Sequence, residues 1–338
     1  MNPQLLATVI NIVVMLGFLL TVVPIMVWVE RRGSALIQDR PGPNRLGPFG
    51  LIQPLADALK FMFKEDVTPA AADKPLYLLA PALAIMPAML TISVIPFGPD
   101  LVYDGVRYPL MITTAPAGVL LFLALASLGI YSLVMAGYAS NNKFSLLGAI
   151  RASAQMISYE LALTMAVLAV VIPVVSFYLG DVVAWQRQHV WNFLPQFIGF
   201  FVFLVAAFAE TNRLPFDLPE AESELVAGFH TEYSAMRFAS FFMGEYMSMT
   251  SLSALGVTLY FGGWSLPGVH LEGWLGAVLG LLVLVAKIGI CMAVFVWVRW
   301  SFPRFRFDQL MRLGWKVLMP LAIVNLIAVS AMTLAGWL

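Results

Sequence analysis

The sequence predicts an all-α membrane protein of about eight transmembrane helices, with an interfacial amphipathic helix in its first inner loop. Three observations predict it. Of the 338 residues, 61% are hydrophobic and only 11% charged, whereas soluble domains carry roughly 25% charged residues. Eight stretches each hold about 20 predominantly apolar residues, enough to cross about 30 Å of hydrocarbon at about 1.5 Å per residue. Basic residues fall almost entirely in alternate loops.

The spans are expected at residues 5–29, 76–97, 114–138, 154–179, 194–213, 238–261, 274–299 and 315–337. Several contain Pro or Gly, which membrane helices tolerate because neighbouring groups satisfy the freed backbone. The first span holds no Lys or Arg before Arg31. A secretory signal has a basic region ahead of a shorter apolar stretch, so this segment reads as a permanent span. The loops after spans one, three, five and seven hold sixteen of the nineteen Lys and Arg; the three intervening loops hold only Arg107 and Arg187. That asymmetry puts the first set in the cytoplasm or matrix and both termini on the opposite side. Residues 1–338 then form one transmembrane domain with two long inner loops, 30–74 and 213–237.

In the first of these loops, Arg40-Pro-Gly-Pro-Asn reads as a tight turn. Residues 48–64 read as an amphipathic helix. Gln53, Asp57, Lys60 and Lys64 form a polar stripe, and Leu51, Leu55, Leu59 and Met62 lie on another face. Such a helix rests at the membrane surface or packs on a partner there.

The formal charge of zero argues against nucleic acid as a partner. Cys291 is the single cysteine, so neither a disulfide framework nor a cysteine-ligated iron–sulfur cluster is expected. His189, His230 and His270 lie far apart in expected loops and form no metal-ligand pattern. No metal or covalent cofactor of the chain's own is expected.

Ionisable side chains in hydrocarbon cost several kcal/mol unless paired, neutralised or hydrated. Glu160 is expected about 10 Å inside the fourth span and Glu245 at a similar depth in the sixth. Glu210 lies about one turn inside the fifth span, and Glu30 caps the first. If these helices face one another, the acids line a polar cavity open to the inner side; otherwise each is paired separately or snorkels. Lys287, near the middle of the seventh span, either neutralises an acid or relays protons. After the fifth span, Asp217, Glu220, Glu222 and Glu224 form an acidic run on a side that should be positive. Pro215 and Pro219 stop the helix there. Crowded carboxylates disfavour joint ionisation, so at least one pKa should rise toward neutrality, as suits a group that exchanges protons in turnover.

Several segments together resemble one family over essentially the whole chain. They are Glu30-Arg31-Arg32-Gly33, residues 40–60 (Arg-Pro-Gly-Pro-Asn-Arg-Leu-Gly-Pro-Phe-Gly-Leu-Ile-Gln-Pro-Leu-Ala-Asp-Ala-Leu-Lys), Ser158-Tyr159-Glu160, Glu210-Thr-Asn-Arg213-Leu-Pro-Phe-Asp217, Glu220-Ala-Glu222-Ser-Glu224-Leu and Glu232-Tyr233. The chain resembles the quinone-site membrane subunits of respiratory complex I, the proton-translocating NADH–quinone oxidoreductase. The resemblance implies a subunit without a redox centre, located in the bacterial inner membrane or the mitochondrial inner membrane. It would take quinone as substrate beside peripheral quinone-site subunits and small membrane subunits, with FMN and iron–sulfur clusters held by partners. It also implies that Glu30, Arg31 and Asp57 lie at or near the quinone cavity, with Phe241 and Phe242 close by. Glu160, Glu210 and Glu245 would form the chain of buried carboxylates leading from that cavity. Asp217, Glu220, Glu222 and Glu224 would form the acidic loop, with Arg213 and Arg299 as basic positions in the same region. Lys287 joins the proton-coupling candidates on its depth alone.

Two other readings compete. A related subunit of a membrane-bound hydrogenase would have a cavity that need not hold quinone; the two long motifs, both intact, favour complex I. A free-standing proton-coupled transporter would show internal repeats and a midplane site, and no repeat is visible.

Overall fold

The computed structural model describes residues 3–103, 105–219, 222–269 and 273–337, apart from the side chains of residues 3, 222 and 223. Glu220, His270 and the Glu222 side chain therefore lie outside the described residues. The chain is mostly helical: α1 (Pro3–Ile37), α2 (Gln53–Phe63), α3 (Lys74–Thr91), α4 (Gly118–Ala139), α5 (Lys143–Val174), α6 (Leu179–Gln188), α7 (Phe197–Glu210), α8 (Glu222–Leu225), α9 (Ala235–Tyr260), α10 (Gly273–Ser301), α11 (Phe307–Leu313) and α12 (Met319–Leu334). A five-residue π-helical turn, Gly314–Leu318, joins the last two into one rod.

Among the described residues, six helices are long and apolar enough to cross a membrane: 4–37, 74–94, 118–139, 143–174, 273–301 and 307–334. The fifth expected span appears as α7, apolar but only 14 residues long. The sixth appears as α9, 26 residues long, which falls short of those six in apolarity. Its surroundings explain this. α9 is buried along most of its length, from Gly244 and Met247 through Ser251, Ala254 and Thr258 to Tyr260. A helix that faces protein rather than lipid need not be uniformly apolar, and its hydroxyls find acceptors inside the bundle. Gly244 allows α9 to lie close to α3: a Cβ there would sit 2.7 Å from the Ala84 carbonyl oxygen.

Two expectations about local structure need correction, and one feature is new. The amphipathic helix begins at Gln53, not at residue 48, because Gly47 and Gly50 adopt positive φ and residues 48–50 form a separate 3-10 turn. At Gly50 a Cβ would fall 2.3 Å from the Pro43 oxygen, so the Pro-Gly-Pro turn folds back onto a position only glycine can occupy. The fourth helix begins at Lys143 rather than 154, capped by Asn142, whose side chain accepts from the Phe144 N–H at 2.9 Å. The long loop after α3 contains a small antiparallel hairpin, β1 (Leu101–Tyr103) and β2 (Val106–Tyr108). Its sequence, Leu-Val-Tyr-Asp-Gly-Val-Arg-Tyr, sets Asp-Gly between β-forming residues, a strong hairpin signal.

The loops sort into two sets by their contacts. The set richer in basic residues meets at one end of the bundle. There Arg237 of α9 pairs with Asp66 at 3.0 Å, Asn142 donates to Glu232 at 2.7 Å, and the Phe305 N–H bonds the Pro215 oxygen at 3.2 Å. At the opposite end, Asn11 near the start of α1 donates to the carbonyls of Pro109 and Met111 beside the hairpin.

At that opposite end Lys287 does not take the first of its two expected roles, neutralising an acid. Its ammonium meets no carboxylate among the described residues. It donates instead to the carbonyl oxygens of Phe261, Gly263 and Ser265 at 2.7, 2.9 and 2.6 Å, with the Trp191 ring 4.7 Å away. These carbonyls belong to the turn that ends α9, where orphan acceptors need donors. Gln186 and Asn192 add side-chain donors to the carbonyls of Thr258 and Leu259. Lys287→Met leaves three converging carbonyls without that donor. It should destabilise the assembled protein by about 3–5 kcal/mol, read as a lowered thermal midpoint of the detergent-solubilised assembly.

Candidate functional site

α1 does not stop at Glu30 but runs on to Ile37, which places this carboxylate inside the bundle with 7% of the residue exposed. Arg213, in the turn after α7, directs one guanidinium nitrogen at both Glu30 oxygens, each at 3.1 Å. The Tyr246 hydroxyl donates to Glu30 at 2.6 Å, and Arg299 of α10 also contacts it. Through its Nε, Arg213 pairs with Glu245 of α9 at 2.5 Å, and its guanidinium lies 4.3 Å from the centre of the Tyr246 ring. Two carboxylates and two guanidiniums thus balance in one buried cluster drawn from α1, α9, α10 and the α7 turn. Mutual compensation of this kind is what allows such charges to be buried.

Gln155 of α5 braces the turn that presents Arg213. Its Nε2 donates to the carbonyls of Ala209 and Phe216 at 2.8 Å each. Tyr159, one turn on, packs edge-on against Phe216 with centroids 5.4 Å apart and donates its hydroxyl to the Leu310 oxygen at 2.9 Å. The Ser158-Tyr159-Glu160 segment therefore has a structural half, Tyr159, facing the acidic loop.

Glu210, the last residue of α7, is buried, and its Oε2 has no hydrogen-bond partner among the described residues. Glu160 lies within its electrostatic reach and is itself bonded by Ser127 of α4. Glu210 and Glu245 line a common cavity of about 80 Å³, together with Ser132, Met156, His230, Phe241 and Phe242. A second cavity of about 40 Å³ also reaches Glu210 and extends past Ser248 to Thr91 and Ser251. Phe241 and Phe242 are thus beside the acids. Glu30 is sealed in its ion cluster, and Glu160 lines neither cavity.

The remaining candidates sit nearer the basic end. Arg31 pairs with Asp57 at 2.5 Å, tying α2 to α1 away from both cavities. Asp217 is held by Arg304 at 2.8 Å. Glu224 pairs with Arg151 of α5 at 2.7 Å and is exposed. His230 escaped the sequence reading, in which the histidines were weighed only as metal ligands. Its signal is a histidine in an apolar stretch, Ala-Gly-Phe-His, and it is buried among the rings of Phe229, Phe238 and Phe242. Burial pushes its pKa from the ordinary 6.5 down to about 4. Tyr246 and Gln155 were also missed, since nothing local distinguishes a polar residue that will find a buried partner.

A family model described as NADH dehydrogenase matches residues 10–330. The chain is 48% identical over 307 residues to an H subunit of NADH-quinone oxidoreductase (the first of that name) from Cytophaga hutchinsonii, covering 90% of each chain. It is 46% identical over 344 residues to an H subunit of NADH-quinone oxidoreductase (the second of that name) from Koribacter versatilis, covering 96% of each. It is 48% identical over 319 residues to the corresponding protein of Geobacter metallireducens, covering 94% of this chain and 92% of that one.

Two outcomes follow from the geometry. Glu30→Ala leaves Arg213 and Arg299 without their shared anion and should cost about 3–5 kcal/mol, visible as reduced assembly and a lowered thermal midpoint. His230 should remain neutral down to about pH 4. Between that value and 6.5 the unfolded chain binds more protons than the folded one, so this residue's contribution to stability is complete above about pH 6.5 and is lost as pH falls toward 4. ¹⁵N-histidine NMR showing a charged His230 at pH 6 would contradict it.

Proposed function

The chain belongs to the NADH dehydrogenase family and is a membrane subunit of NADH-quinone oxidoreductase, respiratory complex I, and on that premise we propose that it forms the membrane part of the quinone cavity and couples quinone reduction to proton transfer. The observation that carries the reading is the convergence of Glu210 of α7 and Glu245 of α9 on one cavity beside Phe241 and Phe242. Buried acids that line one small cavity feel charge added there, which changes how readily each holds a proton. Arg213 contacts both Glu245 and Glu30, so a shift in one carboxylate's charge is felt at the other.

The inner cavity of about 80 Å³ is well below the roughly 300 Å³ or more typical of small-molecule sites. The quinone headgroup is therefore assigned to space completed by peripheral partner subunits, and the Arg31–Asp57 pair between α1 and α2 to the approach from the membrane. FMN and iron–sulfur clusters belong, in this reading, to the partners, and this chain's contribution is non-redox. In this reading α7 and α9 also cross, giving eight spans with both termini on the periplasmic side of a bacterial inner membrane and the basic end in the cytoplasm, as the loop charges favour. Protons moved outward are opposed by about 2.3 kcal/mol per charge per 100 mV, so the driving energy comes from the redox partners.

Glu210→Gln should lower coupled NADH–quinone reductase activity about tenfold or more, on the scale of lost proton-transfer groups. NADH oxidation by ferricyanide, which needs only electron entry, should be unchanged. Equal loss of both activities would indicate failed assembly, and retention of both would remove the coupling role.

A further inference from the structure

Three polar groups point to a ligand in the cavity between α7 and α9. The Glu210 Oε2 and Ser132 Oγ atoms are fully buried with no hydrogen-bond partner among the described residues, and both residues line this cavity. His230 lines it as well and is 7% exposed. The contacts of its ring among the described residues are the edges and faces of Phe229, Phe238 and Phe242, and no carbonyl, carboxylate or hydroxyl bonds its nitrogens. Buried polar atoms left unbonded cost about 1–3 kcal/mol each, and the usual remedy is internal water. At about 80 Å³ the space suits about two or three waters at about 30 Å³ each. It is too small for a quinone ring.

We infer that this cavity is a buried water site and that His230 is its positioning residue, an uncharged imidazole that donates to one side of the water cluster and accepts from the other, so that water joins Glu245 to Glu210. The inference rests on the coupling role proposed above for those two acids. The chemistry is specific to a neutral ring. One nitrogen carries a proton and the other a lone pair, so the ring can close a hydrogen-bond path without becoming an ion. The three phenyl groups around it favour that uncharged form. Two nearby charged side chains are engaged elsewhere, Glu232 with Asn142 and Arg237 with Asp66 and Thr68, while Glu245 lines the cavity and pairs with Arg213. Glu210 and Glu245 are the acids facing the cavity.

The test uses the whole assembled complex in membranes. His230→Asn keeps a donor and an acceptor on a side chain that does not titrate; His230→Phe keeps bulk and removes both. Asn should retain coupled quinone reductase activity within about twofold, while Phe loses about tenfold or more, with ferricyanide reduction unchanged in each. X-ray radiolysis in H₂¹⁸O should label Met156, a cavity-lining residue, in the wild-type complex. An unlabelled Met156 would overturn the water site. Full coupled activity in the Phe variant would overturn the role of His230. An Asn variant as impaired as Phe would overturn the non-titrating role. Should His230→Phe fail to assemble, the Asn variant and the wild-type labelling still decide. If Glu210→Gln keeps full coupling, the proposed function itself fails; if only the His230 results go the other way, the inference alone fails.

Discussion

The cluster of Glu30, Arg213, Glu245 and Arg299 is the constraint from which the rest of the arrangement follows. Two carboxylates inside an apolar bundle are tolerated only if cations reach them with good geometry. Those cations come from the turn after α7 and from the last turn of α10. The turn must therefore bend inward, and Gln155 and Tyr159 on α5 hold it there through the Ala209, Phe216 and Leu310 contacts. Once the turn is fixed, Glu210 one turn earlier has to face the interior, and beyond it Asp217 meets Arg304 and Glu224 meets Arg151.

Much of this was legible in the letters. Six of the eight apolar stretches coincide with helices long and apolar enough to cross a membrane, α1, α3, α4, α5, α10 and the α11–α12 rod, because hydropathy over about 20 residues is a property of the solvent a helix meets. The other two stretches coincide with helices as well, the 14-residue α7 and the less apolar α9. The depth of Glu30 was not legible. Its partners lie 183 and 269 residues away, and a carboxylate near a span's end looks the same whether it snorkels or is sealed in. The partners of Lys287 were hidden for a related reason. Backbone carbonyls are its partners, and they have no letter in a sequence, so a search for complementary side chains could not find them. The hairpin and the Asn142 cap are encoded in Asp-Gly and Asn-Lys-Phe, signals two or three residues wide that hydropathy over about 20 residues averages away.

The interior polar groups also divide by their freedom to change. Glu30 is enclosed by two guanidiniums and a tyrosine hydroxyl. Glu210 has a different setting: one oxygen without a partner, another acid nearby, and cavities on two sides. The contrast separates a carboxylate closed in by partners from one that faces cavities, and it arises from which helix faces which, since both residues are glutamates near the ends of apolar segments.

The anchoring of α9 at one end has a mechanical consequence. The ammonium-bound turn at 261–265 lies about 24 Å along the helix from Glu245, at about 1.5 Å per residue. With that end held, tilting the rod by about 2° would swing Glu245 through about 1 Å, while the residues at the fulcrum stayed almost still. Nearly all of the stroke of such a lever falls where the phenylalanines and the glutamate stand, so a small push at the acidic loop would be felt there rather than dissipated toward the far leaflet.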